Sequence, residues 1–155
     1  MKRLATLALG LALCLAAGTA RADESARCTV RSIAATNAPG GVDAQLADLR
    51  AQLTQPPFIT WKSFKLLAQH QFQLTPGGAS SFDLPEGRQG TVTYKQHLSA
   101  PGGKHRVRLQ LEVRRGGDTQ LSTVFVLDEG GTVLTAGQKY NDGILILGMA
   151  CNTSS

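Results

Sequence analysis

The stretch from Lys104 to Arg115 constrains this chain more than any other. Val107, Leu109, Leu111 and Val113 occupy every second position, and Lys104, Arg106, Arg108, Gln110, Glu112 and Arg114 fill the places between. A period of two puts successive side chains on opposite faces of a strand, so this segment covers an apolar core with one side and meets water with the other. The chain beyond Arg115 is punctuated for more strands. Gly116-Gly117-Asp118, Glu129-Gly130-Gly131 and Asn141-Asp142-Gly143 supply residues that tolerate positive φ, as hairpin turns demand. Thr119 to Leu127, Thr132 to Gln138 and Ile144 to Met149 lie between and after these turns, so the chain from Lys104 onward reads as a four-strand antiparallel meander. Ile144-Leu145-Ile146-Leu147 is apolar on both faces, the pattern of a central strand covered on both sides.

Upstream, Arg27 to Ala35 reads as a strand with Cys28, Val30 and Ser32 on one side and Thr29, Arg31 and Ile33 on the other; Asn37-Ala38-Pro39-Gly40-Gly41 breaks it. Asp43 is a natural N-cap, and Val42, Leu46, Leu49 and Leu53 recur at helical spacing, which predicts a helix over 43–54 that ends at Pro56-Pro57. Phe58 to Leu67, Gln71 to Thr75, Phe82 to Leu84 and Thr91 to Leu98 read as strands separated by turns. The expected fold is mainly β with one helix: an antiparallel β-sandwich or partly closed barrel, with helix 43–54 packed on the sheet. No internal repeat or second domain is visible, so residues 23–155 read as a single β-rich domain.

Residues 1–22 read as a signal peptide. Lys2 and Arg3 precede an apolar run from Leu4 to Ala17, and Ala20-Arg21-Ala22 offers the small-x-small cleavage pattern. Leu11-Ala12-Leu13-Cys14 is a damaged lipobox, with Leu13 where a small residue belongs, so Cys14 is read as one more apolar residue rather than a lipidation site. The expected address is the periplasm or the extracellular space, with no transmembrane segment after cleavage. The formal charge of +5 falls once Lys2, Arg3 and Arg21 leave with the leader, and that removes any argument for nucleic acid. Of the three cysteines, Cys28 and Cys151 then remain, in an oxidising compartment. We expect them to pair, which makes the first and last strands neighbours.

No motif fixes a chemistry. The Gly-x-Ser-x-Gly turn of a serine hydrolase is missing, and Ser80 and Ser81 read as turn residues. His70, His97 and His105 sit at no offset that puts two rings on one side of an element, and the acids lie mostly in turns. No catalytic residue, metal ligand or cofactor is expected. Two candidate binding features stand out. Lys104, Arg106 and Arg108 project from one strand face within about 14 Å, a stripe suited to an anionic glycan, a lipid headgroup or an acidic partner, or simply to a solvated face diluted by Glu112. Trp61, the single tryptophan, is either an aromatic binding anchor or part of a small core.

Gly40-Gly41-Val42-Asp43, Pro57-Phe58, Trp61, Ser63-Phe64-Lys65-Leu66-Leu67, Gly103-Lys104-His105-Arg106, Asp128-Glu129-Gly130-Gly131-Thr132-Val133-Leu134, Ala136-Gly137-Gln138-Lys139 and Gly143 together resemble a family of small exported proteins of myxobacteria and related soil bacteria. The resemblance spans most of residues 23–155. It implies an envelope location and supplies no activity. More locally, Gly130 to Gly143 is similar to the Gly-Thr-Val-rich hairpins of secretin channel proteins. The expected function is a non-enzymatic binding or accessory module of the bacterial envelope, acting through contacts with a protein partner. A polyanion or lipid-headgroup binder using Lys104, Arg106 and Arg108 is the alternative, and a hydrolase with dispersed catalytic residues is a third.

Overall fold

A computed structural model describes residues 25–154. The segment 1–22 expected to be a leader, with its cleavage pattern and Cys14, lies outside the described residues. In chain order the strands are β1 (Ser25–Thr36), β2 (Gly41–Val42), β3 (Ser63–Leu74), β4 (Ala79–Leu84), β5 (Arg88–Ser99), β6 (His105–Arg115), β7 (Asp118–Asp128), β8 (Thr132–Tyr140) and β9 (Gly143–Ser154). The chain is thus mainly β, in two sheets, one of them a half-barrel. One sheet has five strands in the order β2-β3-β1-β9-β8, and the other has four in the order β4-β5-β6-β7. All pairs are antiparallel except the short parallel contact of β2 with β3.

The alternation on β6 falls as the sequence predicts. Val107, Leu109, Leu111 and Val113 are buried in a cluster to which both sheets contribute, with Val92 and Tyr94 from β5, Cys28 and Val30 from β1, and Leu145, Leu147 and Met149 from β9. β1 and β9 lie side by side at the centre of the five-stranded sheet, Cys28 opposite Cys151, and the two are joined by a disulfide. Ile146 points the other way, into a second cluster with Ile33, Ala35, Phe64, Leu46, Leu49, Leu53 and Phe58. The doubly apolar β9 is therefore covered on both faces, because residues 44–60 lie against the back of its sheet.

Ser80 and Ser81, read as turn residues, lie within β4 and pair with Val92 and Thr91. Four larger expectations also need correction. Helix 43–54 is not a continuous α-helix: Ala44–Leu49 is a 3-10 helix interrupted at Leu46, and only Arg50–Leu53, α1, makes an α turn. The apolar stripe still faces inward, with Leu46, Leu49 and Leu53 buried. Its start is tied to β3, where the Asp43 amide donates to the Phe64 carbonyl at 2.9 Å and Asp43 Oδ2 accepts from the Leu66 amide at 3.3 Å. The break falls at Leu46, whose φ of −111° and ψ of 18° leave the helical region. Secondly, Phe58–Thr60 is a 3-10 turn rather than strand. Thirdly, the two predicted strands across Leu67 and Gln71 are one, β3, held through its polar middle by the β1 ladder. Fourthly, the final meander is divided: β6 pairs β7 and β8 pairs β9, while Glu129-Gly130-Gly131 passes the chain from one sheet to the other.

Candidate functional site

The outward face of β6 carries Arg106 and Arg108, with Lys104 in the hairpin just before it, all exposed. Pairing with β7 places Asp128 opposite Arg106, and Arg106 Nε lies 2.6 Å from Asp128 Oδ1. Arg108 donates from Nη1 to Gln96 Oε1 on β5 at 3.0 Å. Farther along, Arg114 is ion-paired with Glu112 on the same strand. The basic stripe is thus interleaved with acids and amides, so its field toward solvent is weaker than the count of cations suggests.

β7 supplies what the sequence reading missed. It is the outer strand of the four-stranded sheet and ladders only with β6. Its inward positions Leu121, Phe125 and Leu127 join the core cluster, while Val124 and Val126 point outward at 55% and 41% exposure. Val126 stands opposite Arg108, and Val124 opposite Gln110. Natural edge strands are commonly blunted by Lys, Pro or brevity. β7 runs 11 residues with neither residue in it. Thr119 to Leu127 gave a strand, but its apolar residues fall on both faces, so nothing local showed which pair would be left in water.

Trp61 is not part of this face. It packs, partly buried, against the second cluster behind the five-stranded sheet, and its amide donates to the Phe58 carbonyl at 2.9 Å. The structure therefore brings Lys104, Arg106 and Arg108 together and leaves Trp61 on the other sheet as a packing residue.

Two further groupings arise only on folding. Arg88, 6% exposed, reaches from β5 across the gap between the sheets: Nε donates to Gln120 Oε1 at 2.9 Å and Nη2 to the Lys139 carbonyl at 2.8 Å, with Glu86 Oε2 2.6 Å from Nη1. Gln120 on β7 and Gly137 on β8 are both extra residues at register shifts, and such bulges re-aim side chains and carbonyls toward a shared partner. At the opposite end of β5, His97 and His105 meet, Nε2 to Nδ1 at 3.2 Å. Among the described residues, no three His, Cys, Asp or Glu side chains gather as metal ligands, and no helix is long and apolar enough to cross a membrane. Comparison with protein families, curated proteins and solved structures finds no match.

Proposed function

We propose that this is an exported, non-catalytic binding module of the bacterial envelope, a β-sandwich that holds an extended segment of a partner protein along β7. The observation that carries the reading is the pair Val124 and Val126, exposed on a sheet edge whose acids and bulge lie only toward its ends. An edge strand offers a row of backbone donors and acceptors to an added strand, and outward apolar side chains give that strand a surface to cover. The chemistry favours a different chain over a second copy. Antiparallel self-pairing centred on Thr123 would set Asp118 of each copy opposite Asp128 of the other, two facing acids at each end with a single base, the Arg106 paired to Asp128, to offset them. Arg108 beside Val126 instead suits a partner segment with apolar residues opposite the valines and an acid near its end. The disulfide between Cys28 and Cys151 fits an oxidising address, and the leader read from residues 1–22 supports export.

The test is crosslinked capture from the native envelope with three proteins: wild type, Val124→Asp/Val126→Asp, and Lys104→Glu/Arg106→Glu/Arg108→Glu. The valine pair is exposed, so its replacement should leave the unfolding midpoint close to wild type while a defined protein partner is lost. Hydrogen exchange on the captured complex should show new protection of the β7 amides. Undiminished capture by the valine variant sinks the edge reading. Binding dominated by anionic lipid or glycan, abolished by salt and by charge reversal, would replace it with the polyanion reading.

A further inference from the structure

We propose that His97 and His105 form an exchangeable two-histidine site for a divalent late first-row transition cation, with Zn2+ as the probe. The rings come from adjacent strands and share the inward face of their sheet: His97 stands opposite Val107 and Ser99 opposite His105, so the two histidines are diagonal neighbours. Both are half-buried, close enough to the end of the sheet for water to reach them. Their facing nitrogens, His97 Nε2 and His105 Nδ1, are 3.2 Å apart. Two nitrogens each about 2.05 Å from a tetrahedral ion stand about 3.3 Å apart, so their separation already matches a shared cation, which sits off the line between them and is reached when each ring turns its lone pair about 35° from that line.

The surroundings fix the backbones that carry the two rings. The hairpin that joins their strands is closed by the Ala100 amide donating to the Lys104 carbonyl at 2.9 Å, and the His105 carbonyl accepts from the Glu129 amide at 3.0 Å. The Tyr94 hydroxyl lies 3.4 Å from His97 Nδ1, the nitrogen turned away from His105, in the position from which an outer partner sets the tautomer of a metal-bound imidazole. Without metal, one facing nitrogen carries a proton and donates to the other. With metal, that ring exchanges the facing proton through water for one on its far nitrogen, which leaves both facing lone pairs for the ion. Imidazole favours Zn2+, Cu2+ and Ni2+ over Mg2+ or Ca2+. Two protein donors leave the remaining coordination positions to water, which makes the ion exchangeable rather than a structural staple. His70 is the internal control: its ring lies 5.4 Å from that of Phe82, away from the pair.

The experiment is a calorimetric titration of the folded, disulfide-bonded protein with Zn2+, run beside the histidine ring nitrogen spectrum in Zn2+ and in Mg2+. One saturable Zn2+ site is expected, with ring signals of His97 and His105 shifting in Zn2+ and not in Mg2+. His97→Gln and His105→Gln should each weaken binding by more than about tenfold, the least that losing even an outer partner commonly costs, and His70→Gln should leave it unchanged. The ring spectrum reads the wild-type protein directly, so a variant that folds poorly does not remove the test. No saturable binding by folded wild type, or unchanged binding in the folded double variant His97→Gln/His105→Gln, overturns the proposal.

Discussion

Reducing the bond between Cys28 and Cys151 is the most searching perturbation of this frame. The two residues are 123 apart in sequence, and the chain-entropy relation assigns a cross-link over a loop of that length about 5 kcal/mol at 25 °C, acting through the unfolded chain. The folded side should change little. β1 and β9 remain laddered from Ser25 opposite Ser154 to Ala35 opposite Ile144 without the bond, and both sulfurs sit in a closed apolar cluster that can hold thiols. In urea, where domains of this size lose about 1 to 3 kcal/mol per molar denaturant, the midpoint should fall by about 2 to 5 M. The slope should rise, because the unfolded chain is no longer tied into a loop and exposes more surface. The assay is equilibrium unfolding of oxidised protein and of protein reduced in denaturant and refolded, with intact mass after alkylation reporting two masked thiols only in the oxidised form. Since small domains hold about 5 to 15 kcal/mol in all, the reduced protein should sit near the edge of folding. A midpoint and slope both unchanged by reduction would refute the reasoning.

Three other substitutions probe separate contacts. Arg88→Leu should destabilise by about 2 kcal/mol, because the Lys139 carbonyl and Gln120 lose a buried cationic donor; the urea midpoint measures it, and no change would mean that Arg88 does not tie the sheets together. Gly90→Ala should cost about 1 to 3 kcal/mol, since an added Cβ lands on the Phe82 ring, and Phe82→Leu in the same background should recover part of the loss in a double-mutant cycle. Asp43→Ala should cost about 1 to 2 kcal/mol through lost bonds to the Gln45 and Leu66 amides, by thermal or urea unfolding, while Asp43→Asn keeps most of it.

Much of this was legible because the signals were local. The alternation on β6, the Asn141-Asp142-Gly143 turn, the paired cysteines and the inward stripe Leu46, Leu49 and Leu53 all came through with the right residues on the right side. What was misread depended on distant partners. Residues 44–53 have helical spacing, but periodicity alone does not tell a broken 3-10 segment from a continuous α-helix, and the start of this one is bonded to β3. The middle of β3 has weak strand propensity, and β1 supplies the bonds that keep it extended. The two histidines are eight residues apart in sequence, an offset that means nothing until a hairpin folds it.

The divided meander shows both the limit and the remedy. Glu129-Gly130-Gly131 has the composition of a hairpin turn, and Gly130 does take φ 74°. Yet its amides serve two sheets: Glu129 donates to His105 on β6 at 3.0 Å, and Gly130 to Cys151 on β9 at 3.3 Å. No local rule could assign those acceptors. A different signal was present, because a sheet with one wet face cannot easily contain a strand that is apolar on both. Applied along the chain, that test sends β1, β3, β8 and β9, whose apolar residues reach both clusters, to one sheet. It sends β4, β5 and β6, with polar or exposed residues on every second position, to the other. The strand it misplaces is β7, apolar on both faces yet laid on the wet sheet with Val124 and Val126 in water. Sequence rules tend to fail at functional sites, where a local preference is overridden for a use outside the fold. The misfit at β7 therefore supports, independently of its position at the sheet edge, the reading that something else in the envelope is meant to cover it.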